Sequence, residues 1–528
     1  MKKLLITVLV ICSGLVSCTD LDEKVYDLLT EDKFYEHFTD EDLIAAIGSI
    51  YSDMRRLYAG GGIHTGGCWL YTGEETSDLW ITPKRGGAWY DGGIYFRLNQ
   101  HTWTTQDQHF LGNWRTFYRG VNTCNRLLFQ FEGQDFDNKE NVLAEIKVAR
   151  AFWYYHLIDF FGNVPLETNY DVPEGYLPQT SSRQDVFSFI VSELEANIPL
   201  LKASGYARWN MYAAKHLLAR VYLNSEVWTG VPQWDRVVEL TDEIMASGRY
   251  SLDVDYSTPF TTENDAASRE LVLAIVNDEV YHPWGQAFHI HLWAHHHKFR
   301  FHANTVTSYW GGFCAPPELI DSYHAEDLRL GKTWLGGQLY DNTGAFSGTV
   351  GTPLMCDPWN PRDQGKPLIY TKEIVFDQDG VTTGERDGMR LIKYEIPERA
   401  LNTLSVDFPY FRYADVYFMK AEALWRKNNK AATPQVVDLI NAVRSRAFVN
   451  FSGDKVLRPD QLDDERFLQE YAWEFAAEGH RRQQLIRFGV YTTREWIMHQ
   501  PSQDFRNLFP IPHQEMLANP NLIQNSGY

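Results

Sequence analysis

Apolar residues recur along most of the chain at positions i, i+3, i+4 and i+7, the spacing of one face of an α-helix. Gly162 and Gly248 follow two of these segments, and Pro434 stands near the first turn of another, as expected at helix ends. Short strand-like runs are few, the clearest being residues 271–277. The pattern therefore predicts a mainly α-helical protein. The predicted helices are residues 41–58, 113–131, 139–161, 182–201, 210–225, 234–247, 413–426, 433–447 and 461–489.

Two regions lack this helical periodicity. Residues 60–110 and 250–410 are rich in Gly, Pro, Asn, Asp and Trp, and we expect long loops and a few short strands there. Long ordered loops usually serve a function. The helical scaffold is then expected at roughly residues 35–58, 113–247 and 411–490. Residues 210–247 suggest a helical hairpin like a tetratricopeptide repeat, although ordinary antiparallel packing explains the same pattern.

The first residues have the form of an export signal. Lys2 and Lys3 precede an apolar stretch, residues 4–16, that is too short to span a bilayer comfortably. Ser17 and Cys18 follow it, and the order looks like a bacterial lipobox, in which the cysteine is acylated. We expect residues 1–17 to be removed and Cys18 to carry the lipid anchor. An ordinary secretory signal with a chance cysteine is the alternative.

The charge and the aromatic content of the chain bear on the kind of ligand that it binds. The formal net charge of -20 argues against nucleic acid, since phosphate binding needs clustered Lys and Arg. Aromatic residues make up 14% of the chain, more than its average hydrophobicity leads one to expect, and such residues are common on binding surfaces. The cysteines beyond Cys18 show no CxxC spacing, which leaves a disulfide or scattered buried thiols. They are Cys68, Cys124, Cys314 and Cys356.

Five stretches together resemble the SusD/RagB family, surface lipoproteins that bind glycans beside a TonB-dependent transporter. Acidic residues after Cys18 also resemble the tag that directs lipoproteins of the Bacteroidetes to the outer face of the outer membrane. The five stretches are EIKVARAFWYYHLIDFFGNVPL (145–166), AAKHLLARVYLNS (213–225), FRYADVYFMKAEAL with INAVRSRA (411–424 and 440–447), ERFLQEYAWEFAAEGHRRQQLIRFG (465–489) and NLFPIPHQEMLANPNLIQNSGY (507–528).

The resemblance implies one SusD-like body over residues 18–528. Four tetratricopeptide-like hairpins would form one side of it, and loops on the other side would hold the glycan. It also implies a SusC-like transporter as partner, a cell-surface location on the outer membrane, and a protein that is not an enzyme and needs no cofactor or metal. The alternatives are a surface glycoside hydrolase or metal-dependent hydrolase, and a peptide-binding or structural lid of the transporter.

Candidate glycan-binding residues lie in the two loop regions, because sugar recognition needs flat aromatic faces and planar polar groups. The resemblance places the sugar site in the loop before the helix that contains NTCNRLL and in the variable segment ahead of GGF. The first segment contributes Asp78, Trp80, Arg85, Trp89, Tyr90, Tyr95, Asn99 and Trp103. The second contributes Tyr281, Trp284, Trp293 and Trp310.

Two groups of polar residues are candidates for a metal site or for acid/base catalysis, and neither forms a known catalytic motif. Residues 289–302 contain six histidines, and HIH at 289–291 would aim two imidazoles at one metal. No HExxH occurs, and no Cys or carboxylate sits at ligand spacing, so we predict no metal site. The second group, which we interpret as ion pairs at i,i+3 and i,i+4 on a helix, comprises Glu474, Glu478, Arg481, Arg482 and Arg487.

Overall fold

The computed structural model describes residues 40–59, 68–282, 288–303, 309–343, 349–358, 360–398 and 403–528. The predicted anchor Cys18 and the predicted site residue Trp284 lie outside these ranges. The chain forms two compact units, Met1–Ala46 and Ile47–Tyr528.

The predicted fold class, mainly α with a few short strands, is confirmed. The long helices are Asp40–Met54, Gln108–Glu132, Lys139–Phe161, Arg183–Asn197, Met211–Leu223, Trp234–Ala246, Tyr413–Lys427, Pro434–Arg444 and Asp464–Phe475. The shorter α-helices are Arg56–Ala59, Trp69–Glu75, Ile94–Asn99, Ser225–Thr229, Asn264–Ala267, Ile290–Ala294, Pro317–Ser322, Leu328–Thr333, Arg481–Arg487 and His513–Ala518. Short 3-10 helices are Asp91–Gly93, Ile198–Leu200, Thr258–Phe260, Ser445–Ala447, Gly453–Lys455, Pro459–Gln461 and Asp504–Asn507.

Side-chain caps explain where several helices begin. The side chain of Asn210 accepts hydrogen bonds from the N–H groups of Tyr212 and Ala213, and Ser182 and Thr433 cap their helices in the same way. These bonds satisfy donors that the first turn of a helix leaves without partners. The caps lie within a residue of the starts that the sequence pattern predicts.

The strands are short and join distant parts of the chain. Leu271–Ile275, predicted as a strand, pairs antiparallel with Phe408–Arg412, and both are buried along their whole length. Lys84–Arg85 pairs in parallel with Thr382–Thr383. The remaining antiparallel pairs are Val164–Pro165 with Thr180–Ser181, Trp334–Leu335 with Arg390–Leu391, Gly337–Gln338 with Ile369–Tyr370, and Tyr340–Asp341 with Thr352–Pro353.

Successive long helices pack against each other as hairpins. Lys139–Phe161 packs between Gln108–Glu132 and Arg183–Asn197, and it is buried on almost every side, as its continuous apolar sequence predicts. Gly120 lets the first two helices approach closely, because a Cβ there would come within 2.1 Å of the Trp153 ring. Within the described residues, no helix is both long enough and apolar enough to cross a membrane.

The second half of the scaffold continues this arrangement. Met211–Leu223 packs on Trp234–Ala246, which in turn packs on Tyr413–Lys427 and so brings the two helical regions together across the intervening loops. Pro434–Arg444 completes the last hairpin. The four cysteines at positions 68, 124, 314 and 356 are free and buried, so the disulfide alternative is wrong.

The prediction of one helix over residues 461–489 is wrong. The structure has two helices there, and Ala477 and Gly479 between them adopt positive φ angles of 61° and 79°. The break places the carboxylate of Glu478 next to two basic groups. Its Oε1 atom lies 2.7 Å from Arg412 Nη2 and 2.6 Å from Lys393 Nζ. A helix continuing through this point would lose those two buried ion pairs.

The predicted i,i+3 and i,i+4 pairing is also wrong, since the partners of these charges are distant in sequence. Each forms a buried or nearly buried ion pair that links two elements of the scaffold. The pairs are Glu474 with Arg412, Glu478 with Lys393, Arg481 with Asp78, Arg482 with Asp159, and Arg487 with Glu422.

Candidate functional site

The two predicted aromatic segments meet at Trp89. Its indole N–H donates a hydrogen bond to the carbonyl oxygen of Trp310, with a nitrogen–oxygen distance of 2.6 Å. The Trp89 indole itself is only 6% exposed and packs against the backbone of Gly312. The structure therefore joins residues that are more than 200 positions apart into one surface, with Trp89 supporting it from behind.

The loop that carries Trp89 has a strained backbone. Trp89 and Asp91 have positive φ angles of 64° and 41°, a region that residues with a Cβ rarely occupy, and Gly92 follows at 68°. The Tyr95 hydroxyl donates to Asp91 Oδ2 at 2.8 Å, and the Arg97 guanidinium donates to the Gly92 carbonyl at 2.7 Å. Strain of this kind persists only where surrounding contacts enforce it, and it is concentrated at functional sites.

Exposed aromatic rings adjoin Trp89 on both segments. Tyr90 is 45% exposed and Trp310 is 37% exposed, whereas most large aromatic rings of this protein are buried. The ammonium of Lys84 lies 5.6 Å from the centre of the Tyr90 ring and 3.5 Å from Asp379, which is itself partly exposed. These residues bring flat apolar faces and polar groups together at one place. We call Trp89, Tyr90 and Trp310 the aromatic platform.

Arg85 holds the two walls of this site together. Its guanidinium donates to the carbonyl oxygens of Gly312, Gly384 and Asp387, the shortest distance being 2.7 Å. Burial, together with the nearby charge of Arg390, lowers the pKa of Arg85 to about 10, so it stays charged at neutral pH. All these partners are protein groups and the side chain is buried, which argues against the predicted contact between Arg85 and sugar.

Four other predicted residues lie inside the core. Trp80, Trp103 and Trp293 are at most 1% exposed, and Asn99 is fully buried. The Trp80 ring packs 4.2 Å from Phe313, and the Trp103 indole N–H donates to the hydroxyl of Tyr528 at 2.6 Å. A ring with no exposed face does not stack on a sugar in this conformation. These rings anchor the loops, as buried aromatic residues often do.

The remaining predicted site residues, Tyr95, Tyr281 and Asp78, differ in exposure and in contacts. Tyr95 is fully buried behind the platform, whereas Tyr281 is 82% exposed and stays a candidate for contact with sugar.

Asp78 forms ion pairs with Arg481 at 2.6 Å and with Arg494 at 2.9 Å. Burial opposes its ionisation, yet these two guanidinium groups lower the pKa of Asp78 to about 2. Asp78 also lines a cavity of about 350 Å³.

The histidine-rich segment divides into two parts. The His295 Nε2–H donates to the Leu391 carbonyl oxygen at 2.9 Å, and the His302 Nε2–H donates to the Ile396 carbonyl oxygen at 2.9 Å, so both serve the loop structure. His296 and His297 instead approach the carboxylate of Asp357. No sequence signal links these residues, because the carboxylate is about 60 positions away in the chain.

Comparisons with known proteins agree with this architecture. The model of the SusD family matches residues 276–528, and a family model described as starch-binding and associating with the outer membrane matches residues 82–223. The starch-binding protein SusD of Bacteroides thetaiotaomicron is 24% identical over 475 residues, covering 84% of this chain and 82% of that protein. SusD-like protein P25 of Formosa agariphila is 25% identical and covers 97% of both chains.

Solved structures share the fold. Surface glycan-binding protein A from Bacteroides thetaiotaomicron, in complex with laminarihexaose, matches with a TM-score of 0.70 at 18% identity, covering 92% of this chain and 100% of that one. A laminarin-binding SusD-like protein matches with a TM-score of 0.69 at 20% identity, covering 93% and 100%.

Proposed function

This chain belongs to the SusD family, and on that premise we propose that it binds carbohydrate at the cell surface and passes it to a SusC-like TonB-dependent transporter. The names of its relatives point to starch and laminarin as ligands of those proteins. The proposal includes no bond cleavage by this protein. In this proposal the site binds the glycan and does not catalyse a reaction on it.

The aromatic platform is the observation that carries the proposal. A pyranose ring has an apolar face that packs on an aromatic ring, and Tyr90 and Trp310 offer such faces beside a supporting indole. Lys84 and Asp379, both partly exposed, stand next to Tyr90 and are suited to hydrogen bonds with sugar hydroxyls.

The charge of the protein favours neutral glycans as ligands. A net charge of -20 repels polyanions at long range, and Lys84 is already paired with Asp379. Neutral sugars are not affected by this repulsion. The proposed ligands are therefore uncharged oligosaccharides or polysaccharides.

Alanine substitutions in the platform test the proposal. We expect Trp310→Ala and Tyr90→Ala each to weaken glycan binding at least tenfold, measured by calorimetry with starch-derived and laminarin-derived oligosaccharides. Both rings are partly exposed, so thermal unfolding should change little. Phe129→Ala is the matched control, because Phe129 is 47% exposed on a helix and has no place in the platform.

Three results would count against the proposal. One is a folded protein that binds none of a broad panel of neutral glycans. Another is an equal loss of affinity in Phe129→Ala and Trp310→Ala. The third is new reducing ends in the same incubations, with or without a chelator, which would indicate a hydrolase.

The lipid anchor has its own test. The lipobox-like sequence before Cys18 supports acylation of that residue. We expect Cys18→Ala to move the protein from the outer-membrane fraction to the soluble fraction, because acyl chains bind a bilayer by about 0.8 kcal/mol per buried methylene. An unchanged membrane fraction would contradict the anchor without affecting the glycan site.

A further inference from the structure

Two imidazoles and two carboxylates converge beside the platform, in a cluster formed by His296, His297, Asp357 and Glu385. The Nε2 atom of His296 lies 3.6 Å from Asp357 Oδ2 and 3.2 Å from Glu385 Oε2. The Nε2 atom of His297 lies 3.4 Å from the same Asp357 oxygen. One donor atom from each of His296, His297 and Asp357 can be chosen so that all three lie within 4.8 Å of one another.

The Asp357 carboxylate is buried and incompletely satisfied. The side chain of Asp357 is 4% exposed, and its Oδ2 atom accepts no hydrogen bond from any residue that the structure describes. Its other oxygen, Oδ1, is held by the Lys298 ammonium at 2.7 Å, which leaves Oδ2 directed toward the two imidazoles. A buried charged oxygen without a partner is costly, and a cation between it and the imidazoles would remove that cost.

We propose that His296, His297 and Asp357 bind a divalent transition-metal ion of the zinc class, with Glu385 beside it as a further ligand. Tetrahedral zinc with bonds of about 2.0–2.1 Å places its ligand atoms about 3.3 Å apart. Asp357 Oδ2 lies 3.6 Å from His296 Nε2 and 3.4 Å from His297 Nε2, and Glu385 Oε2 lies 3.2 Å from His296 Nε2. Two imidazoles with carboxylates favour zinc over calcium, which takes oxygen ligands.

Two hydrogen bonds of His296 must change when the ion binds, and one of them runs from its Nε2–H to Glu385 Oε2 at 3.2 Å. The backbone N–H of Lys298 donates to His296 Nδ1 at 3.2 Å, which places the imidazole proton on Nε2. Coordination through Nε2 requires that proton to move to Nδ1, so this hydrogen bond is lost. Two hydrogen bonds of this length contribute little net stability compared with bonds to a metal ion.

Such an ion would stabilise the wall that carries Trp310. A Cβ on Gly311 would lie 3.5 Å from the His295 carbonyl oxygen and 3.8 Å from the Cα of His296, so the backbone of the cluster adjoins the segment that carries Trp310. Glu385 also neighbours Gly384, whose carbonyl accepts from Arg85. The ion would thus connect the histidine segment, the segment of Asp357 and the segment held by Arg85. The site does not depend on the proposed function, because none of its atoms needs to touch glycan.

Metal titration of the full mature chain, prepared without a histidine tag, tests the site. After treatment with chelator and removal of the chelator, we expect calorimetry to show one equivalent of Zn²⁺ bound, undisturbed by millimolar Ca²⁺. Co²⁺ in place of Zn²⁺ should give the visible absorption of a tetrahedral site. Zn²⁺ should also raise the midpoint of thermal unfolding.

Two variants and one control make the test specific. His297 is 44% exposed, so His297→Ala removes a ligand at little cost to folding, and Asp357→Asn keeps the shape of the side chain. We expect each to weaken Zn²⁺ binding at least tenfold and to abolish the thermal shift. His513→Gln, which changes an exposed imidazole elsewhere, should behave like the parent protein.

The opposite results would overturn the site. Binding well below one equivalent, or equal Zn²⁺ affinity in the parent protein, His297→Ala and Asp357→Asn, would mean that the cluster is a hydrogen-bonded pair of histidines and carboxylates. Glycan affinity is measured separately with and without Zn²⁺, so failure of the metal site and failure of the glycan site give different results.

Discussion

The Cα of Gly312 lies so close to the indole of Trp89 that a methyl group added there would approach the ring to 2.7 Å. Trp89 cannot turn away freely, because its N–H is bonded to the Trp310 carbonyl. We expect Gly312→Ala to displace the platform and weaken glycan binding at least tenfold in calorimetry, with little change in helix content. Gly87→Ala is the control, since a Cβ at Gly87 meets nothing within 4 Å. Equal affinities for the two variants would show that the platform does not bind the sugar.

Arg85→Lys should reduce both stability and binding. Lysine carries one ammonium and cannot reach the carbonyls of Gly312, Gly384 and Asp387 together, as the guanidinium does. We expect the free energy of unfolding in urea to fall by about 2–3 kcal/mol, because buried acceptors lose their partners. Arg115→Lys, at a guanidinium that is 60% exposed, should change stability by less than about 0.5 kcal/mol. Similar values for both variants would contradict the structural role of Arg85.

Glu74→Gln should change how stability depends on pH. Glu74 is fully buried, its Oε1 accepts from the Gly479 N–H at 2.7 Å, and burial raises the pKa of Glu74 to about 8. An unfolded chain releases this proton near pH 4.3, so between about pH 5 and pH 8 the folded state holds more protons and stability falls as pH rises. The amide variant cannot titrate. Relative to the parent protein it should therefore gain about 3 kcal/mol between pH 5.5 and pH 8.

Urea unfolding at those two pH values measures the change. Glu75, whose pKa burial also raises to about 8, is present in both proteins and cancels in the difference. Glu140→Gln, at an exposed position, should follow the parent protein at both pH values. Parallel curves for Glu74→Gln and the parent would mean that Glu74 is ionised in the folded protein.

The parts of the fold that depend on local patterns were predictable. The helix Lys139–Phe161 has the same bounds in the sequence prediction and in the structure, because its apolar sequence and the following Gly162 are both local signals. The break after Phe475 was not predictable from local sequence. The positive φ of Ala477 accompanies ion pairs between Glu478 and basic residues of other elements, which are distant in the chain. Tertiary contacts override helix propensity at that point.

The two segments that meet at Trp89 could be chosen from the sequence, but the exposure of their individual residues could not. Aromatic residues in polar loops indicated both segments that meet at Trp89. Composition does not reveal which ring of a loop faces inward, and so Trp80 and Trp293 were predicted beside Trp310 although only Trp310 is exposed among the three. The neighbour of His296 and His297 was missed for the same reason, because Asp357 approaches them only in the folded chain.

The parallel pairing of Lys84–Arg85 with Thr382–Thr383 ties the start of the site to a segment made about 300 residues later. Contacts between such distant residues form late, since a long loop must close first. A chain that ends before this segment therefore lacks the Gly384 and Asp387 carbonyls, and Arg85 has only the acceptors near Gly312 to hold it. The wall of the candidate site is therefore complete only after the chain has been made to at least Asp387.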